Sequence, residues 1–168
     1  MNGNPRLLDA TKWTESLAGA VDAATNTVYV LTFTVIATPA QVPIDAADPY
    51  RAIERAALRG LDVRLIRSAT QRETIPSASG HAAAARLIYA GAQVRTLPPR
   101  PTLHAKAHAI DGQVLFVGSA NLTRSSADAN IELGARLDDP ADLQQFATIF
   151  GALWETATPE PMPHPGGR

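Results

Sequence analysis

The chain has 168 residues, the length of one ordinary domain. Fifteen Lys and Arg against sixteen Asp and Glu leave a net charge of −1, which excludes a strongly basic coat. With 45% apolar residues wholesale disorder is excluded, and with no Cys so are disulfides, thiolate chemistry and Cys-ligated zinc. No apolar run reaches membrane-spanning length, and MNGNPRLLDATKW lacks the apolar stretch of an export signal. The expectation is a soluble, cytoplasmic protein with no membrane partner.

Asp9 or Thr11 can cap a first helix, with Trp13, Leu17, Val21 and Ala24 at helical spacing. Thr27 to Ala37 is β-branched and nearly all apolar, a strand buried on both faces. Asp48-Pro49 starts a second helix, striped by Tyr50, Ile53, Ala57 and Leu58 and closed by Gly60. Asp62 to Arg67 reads as a strand, 68–80 as a polar loop, His81 to Ala90 as a third helix and Gln93 to Leu97 as another strand. The junctions RGLDVRL and AGAQVRT repeat helix, Gly, strand, which points to βαβ units and a parallel core.

After Pro98, Pro99 and Pro101, two strands, Leu103 to Ile110 and Gln113 to Val117, are joined by Asp111-Gly112, a strong two-residue hairpin signal. Residues 120–129 read as a polar loop. Asn130 to Leu137 alternates, with Ile131, Leu133, Ala135 and Leu137 on the apolar face. Asp139-Pro140 opens a last helix with Leu143, Phe146, Ala147, Phe150, Leu153 and Trp154 as its buried stripe. The fold class expected is α/β: a mixed, mainly parallel central sheet flanked by helices, formed by residues 1–156, with 157–168 a disordered Pro/Gly-rich tail.

The chemistry concentrates in LHAKAHAIDGQVLFVGSAN. Residues two apart on a strand share a face, so His104 and Lys106 lie together, about 6.6 Å apart. If Ile110 pairs with Gln113, counting back places His104 opposite Ser119, with Asn121 two residues on. The pattern thus gathers an imidazole, an ammonium, a hydroxyl and a carboxamide, a nucleophile or base with donors for an oxyanion. Phosphate is the obvious target.

His104-x-Lys106-x4-Asp111-x6-Gly118-Ser119-x-Asn121 resembles the signature of the phospholipase D superfamily, every defining position being filled. Glu132 falls where that family keeps a downstream Glu. The resemblance implies that His104 attacks phosphorus and forms a phosphohistidine. A second motif His, across a two-fold axis, then protonates the leaving oxygen. Lys106 and Asn121 hold the nonbridging oxygens, and Glu132 orients His104 through Nδ1 as a triad carboxylate does. It implies no metal and no cofactor. Of the four His only His104 has a Lys two residues later, so the second His must come from another subunit of a homodimer. Asp111 has a structural reading as well, because Asp-Gly is what the hairpin turn wants; Ser119 and Asn121 have one as turn residues.

His108 departs from the family's usual apolar residue, and is placed behind the catalytic row or on the dimer seam as a substrate-side residue. Arg67, Arg95, Arg100 and Arg124, at strand ends or in loops, are candidates for gripping flanking phosphates; surface solvation is the competing reading. The expected activity is a metal-independent nuclease, with nucleic acid, DNA foremost, as substrate. The GSANLT and NIELG segments look most like members near helicases and anti-phage defence genes, which would be its partners. The alternatives are a phospholipase or phosphatidyl transferase, and a catalytically silent nucleic-acid-binding or scaffold subunit.

Overall fold

The computed structural model describes residues 7–37, 47–69, 75–124, 126 and 129–161. After a short strand β1 (Leu7–Asp9), helix α1 (Ala10–Ala23) starts where the Asp9 carboxylate accepts from the Lys12 backbone N–H at 2.9 Å. Asp48 does the same for α2 (Pro49–Leu58), taking the Tyr50 and Arg51 N–H groups. Helix α3 (Ile75–Tyr89) begins six residues before the expected His81, so part of the predicted 68–80 loop is helical, while 70–74 lie outside the described residues. It ends at Gly91, whose φ of 108° favours glycine and whose Cα hydrogen approaches the Ala57 carbonyl. Strands β2 (Thr27–Thr32), β3 (Asp62–Ser68) and β4 (Gln93–Leu97) alternate with these helices and pair in parallel.

The chain then reverses. Strands β5 (Ala107–Ile110), β6 (Val114–Gly118) and β7 (Leu133–Leu137) form an antiparallel meander, and helix α4 (Pro140–Thr156) leads to β8 (Thr158–Pro159). One eight-stranded sheet results, in the order β1-β7-β6-β5-β2-β3-β4-β8. Leu17 and Val21 of α1, Tyr50 and Ile53 of α2, and Ala83 and Leu87 of α3 cover one face, over Val28, Val30, Leu65 and Phe116. Phe146, Phe150 and Trp154 of α4 cover the other, over Leu31, Ile66, Ala109 and Leu115. This is the expected mixed α/β sheet flanked by helices, but it is not mainly parallel: only β2-β3 and β3-β4 pair in parallel, where a helix crosses over, and the other neighbours are antiparallel because the chain after β4 returns by hairpins and edge additions.

Several boundaries differ from the sequence reading, each for a local reason. Strand β2 stops at Thr32, whose hydroxyl bonds the Thr34 carbonyl; the chain then turns so that Val35 bridges Leu122. Leu58 is exposed and Ala56 takes its place in the α2 stripe. Ile131 and Leu133, expected inside, are 103% and 57% exposed, because β7 begins only at Leu133. The predicted tail starts as structure: β8 adds antiparallel to the β4 edge and Glu160 is buried, so order extends past residue 156 to at least 161. Residues 162–168 lie outside the described residues.

The hairpin carries the most consequential difference. Asp111 and Gly112 both turn with positive φ, 53° and 63°, and the Gln113 N–H bonds Ile110 O. The ladder nevertheless resumes one residue later, pairing Ile110 with Val114 and His108 with Phe116. A one-residue slip moves every side chain to the other face of the strand opposite, so Ser119 is not the cross-strand partner of His104.

Candidate active site

Nor does strand geometry bring His104 and Lys106 together, because β5 begins at Ala107 and the Pro-rich segment before it is irregular. Lys106 instead folds back: its Nζ donates to the His104 carbonyl at 2.9 Å and lies 3.1 Å from His104 Nε2. An ammonium has only protons to offer, so Nε2 facing it is the acceptor nitrogen and carries a lone pair. That is the atom a nucleophilic imidazole needs. Phe33, just past β2, seats both groups: its ring centroid is 5.2 Å from that of His104 and 5.6 Å from Lys106 Nζ. Burial of Lys106 lowers its pKa, and the Glu132 charge partly offsets this. His104 itself is exposed.

Asn121, beyond the end of β6, is held next to Phe33. Its Oδ1 accepts from Thr34 N–H at 3.3 Å, which leaves the amide NH2 as the donating end. Ser119 lies beyond the end of β6, exposed, where it ties β6 to β7: its hydroxyl donates to Glu132 and accepts from the Leu133 N–H at 3.1 Å. Gly118 is small there for a plain reason. A Cβ would sit 2.8 Å from Leu133 O and 2.9 Å from Gly134 Cα.

Glu132 does not orient His104 within the chain. Its carboxylate is held by Ser119 and, at 3.1 Å, by Asn130 Nδ2, and among the described residues no hydrogen bond joins it to the imidazole. Burial raises its pKa, but the Ser119, Asn130 and Ser126 bonds and the Lys106 charge outweigh that, and the net shift is downward. It remains a carboxylate at neutral pH, close enough to Lys106 to feel its charge.

Asp111 is at the opposite end of β5 from Lys106 and serves the scaffold. Its carboxylate accepts from the Thr25, Asn26 and Thr27 N–H groups and from the Thr25 hydroxyl, at 2.8 to 3.1 Å. Burial would raise its pKa, yet these donors pull it down. The hairpin turn is thereby fastened to the α1–β2 connection.

Two expected substrate contacts, His108 and Arg67, are corrected by burial, and a third, Arg95, is engaged by Trp154. His108 is fully buried, pairs with Phe116 and Val30, and meets the Trp13 ring edge-on at 5.4 Å. Among the described residues both ring nitrogens lack a partner, and burial pushes the pKa down to about 3. It is a neutral core residue and touches no substrate. Arg67 is 4% exposed and closed in an ion pair with Glu160, Nη2 to Oε1 at 2.7 Å. Arg95 lies over the Trp154 ring at 4.4 Å. Arg100 and Arg124 are exposed, Arg100 in the segment leading to His104 and Arg124 three residues beyond Asn121.

The sequence reading missed Phe33 and the pocket beside His104. Phe33 was hidden inside an unbroken β-branched run, whose only hint of a turn is the Thr-Phe-Thr interruption. The pocket, about 490 Å³, is lined by Leu97, Pro98, Pro101, Leu103 and Leu153 with His104 at its rim. Among the described residues, no group of three or more His, Asp or Glu is gathered as a metal site, and no helix is long and apolar enough to cross a membrane.

An exposed imidazole with its lone-pair nitrogen beside an ammonium is equipped for nucleophilic attack on a phosphoester. Residues 17–154 match the family model described as cardiolipin synthase, phospholipase D-like domain. Cardiolipin synthase A of Pseudomonas putida is 31% identical over 144 residues, 84% of this chain; the chain spans only 28% of that relative's length, and 21% of the Proteus mirabilis one. Nuc from Salmonella typhimurium, a phospholipase D family member, shares the fold with TM-score 0.75 at 20% identity, over 93% of this chain and 98% of its own. NucT from Helicobacter pylori does so with TM-score 0.74 at 18% identity, again over 93% and 98%. The chain belongs to the phospholipase D superfamily.

Proposed function

We propose that the protein is a phosphodiesterase that cleaves nucleic-acid strands, without a metal ion, through a phosphohistidine on His104. The observation that carries the reading is the His104–Lys106 pair, an exposed imidazole whose Nε2 is held 3.1 Å from a buried ammonium. Nε2 attacks phosphorus, and the bond to the leaving oxygen breaks. Lys106 and the Asn121 amide hold the charge that gathers on the nonbridging oxygens. The leaving oxygen takes a proton from a second imidazole. Water then attacks phosphorus, gives its proton to that second imidazole, and releases His104 as the P–N bond breaks.

Only one His in the sequence carries the Lys spacing, so the second imidazole is His104 of another copy. The surface beside the site suits such pairing: Ile131 and Leu133, on either side of Glu132, are exposed, and Leu7 on the neighbouring β1 is 65% exposed. Nucleic acid is favoured because the likeness to Nuc and NucT runs over nearly the whole of both chains, and Arg100 and Arg124 are exposed in the segments next to His104 and Asn121. DNA is the first substrate to try. Partners from a helicase or defence system belong to the same reading.

A second reading, phosphatidyl transfer, is supported by the 31% identity to a cardiolipin synthase and by the apolar pocket at His104. One experiment separates them. Purified protein in EDTA is given plasmid, oligonucleotides and anionic phospholipid vesicles in parallel. Nicking or cleavage that disappears in His104→Ala supports the nuclease; cardiolipin formation or head-group release without cleavage puts the transferase first. Complete loss of activity on adding chelator refutes the metal-free mechanism in either case.

A further inference from the structure

A second imidazole with an unusual anchor lies on α3, near the ends of the strands that border the His104 segment. His81, near the middle of α3, has its Nδ1 2.5 Å from Glu160 Oε1, and the His81 side chain is 61% exposed while that of Glu160 is 4% exposed. Arg67 Nη2 also lies 2.9 Å from Nδ1, but its protons are taken by Glu160, and two lone pairs cannot face each other at 2.5 Å, so Nδ1 carries a proton and donates it to the carboxylate. Glu160 is itself fixed: Arg67 donates to both its oxygens, at 2.7 and 3.2 Å, and Thr96 donates its hydroxyl. The ring is therefore locked with Nε2 pointing away from its anchor, and among the described residues Nε2 has no partner.

This anchor lies beside the active site. Thr32, Arg67 and Thr96 are register partners across β2, β3 and β4, and Lys106 precedes Ala107, which pairs with Leu31 next to Thr32. At about 4.8 Å per strand, the Arg67 backbone is about 10 Å from that of Lys106 along one edge. Packing closes the gap further. A Cβ on Gly80 would lie 3.5 Å from both Val35 O and Arg67 Nη1, and Val35 bridges Leu122 in the segment that seats His104 on Phe33 and Asn121 on Thr34.

We propose that His81 binds a backbone phosphate next to the one under attack, gripping it through Nε2; this rests on the nucleic-acid reading above. With a carboxylate on Nδ1 and a phosphate on Nε2, both nitrogens donate, which is the imidazolium form. The charged groups facing it among the described residues are Arg67 from β3 and Glu160 beyond β8, and these two neutralise each other. The added positive charge is therefore free to meet an anion. No comparable cation is needed for a substrate that ends at one phosphate.

The test compares a single-stranded oligonucleotide with bis(p-nitrophenyl) phosphate, which has no flanking phosphate, in EDTA at pH 6. His81→Ala is expected to raise KM for the oligonucleotide about tenfold, the order of one charge-assisted hydrogen bond, and to leave kcat/KM for the small ester unchanged. His81→Arg is expected to restore the oligonucleotide KM, which a merely structural role for the imidazole would not allow. An unchanged oligonucleotide KM in His81→Ala, an equal loss on both substrates, or no rescue by Arg overturns the assignment while leaving the nuclease intact. A wild-type protein that hydrolyses the small ester but no oligonucleotide overturns the nucleic-acid reading and this inference with it.

Discussion

Asp111 belongs to the motif that marks the family, yet its bonds say it holds the fold, and Asp111→Asn separates the two roles. Asn tolerates the left-handed φ of 53° that position 111 requires, so the turn survives; Ala would add its own cost of about 1–2 kcal/mol there. The carboxylate now serves four donors at 2.8 to 3.1 Å, Oδ1 taking Asn26 and Thr27 and Oδ2 taking the two from Thr25. The amide keeps one acceptor oxygen and turns an NH2 toward the Thr25 N–H. A bond to a charged group contributes about 1.5–3 kcal/mol when buried, and these are solvent-facing, which reduces each by half or more. Losing two of four gives about 1–2 kcal/mol. The folded pKa is depressed, so the stabilisation is present above the unfolded value near 4 and lost as pH falls through the folded one. The gap between variant and wild type should therefore close below about pH 4. Urea unfolding across pH 3 to 8 measures it, with turnover per folded molecule recorded alongside. An unchanged midpoint with turnover reduced a hundredfold would refute the structural role and put Asp111 in the chemistry.

His108→Leu should flatten the acid limb of stability: the folded pKa of about 3 lies below the unfolded 6.5, so wild type loses about 1 kcal/mol between pH 6.5 and 5.5 through this group, and a variant with the same slope would exclude it. Gly134→Ala places a Cβ 2.1 Å from Trp13 Cδ1 in a buried ring, so a loss of about 1–3 kcal/mol and a shift in tryptophan fluorescence are expected; an unshifted spectrum at full stability would mean the strand yields freely. Lys106→Arg keeps the charge but not the compact head that reaches both His104 O and Nε2, and should lower turnover about 100-fold with little change in the thermal midpoint; full activity would mean that charge alone suffices.

The helices and the parallel half of the sheet were legible because their signals are local. Asp9 and Asp48 sit at caps, Gly60 and Gly91 at helix ends, and the β-branched run fills the central strand. The motif residues were legible as chemistry for the same reason. What the sequence concealed is non-local. The extra residue at Gln113 is invisible to a count of turn residues, yet it shifts the register and, with the ladder ending at Ala107, removes Ser119 from its expected place opposite His104. Arg67 looks like any surface arginine until Glu160, 93 residues away, is brought against it by β8. His108 reads as one more polar residue in a His-x-Lys-x-His row, but the row breaks where β5 begins, and His108, on the strand side, packs against Trp13 in the core.

That break divides the motif by function. On the irregular side lie the groups that meet substrate: His104, the head of Lys106 and the free end of the Asn121 amide, held by Phe33 and Thr34 rather than by the ladder. On the ordered side lie Asp111, fastening the turn, and Gly118, Ser119 and Glu132, fastening β6 to β7. The first set sits at the open edge, where a phosphate can approach and where side chains keep some freedom to close on it. The second fixes the distance between the two ends of the meander that deliver Lys106 and Asn121 to one place. Substitutions in the two sets should therefore differ in kind. In the first, turnover falls at constant stability; in the second, stability falls first, and turnover follows only as the Lys106–Asn121 spacing loosens.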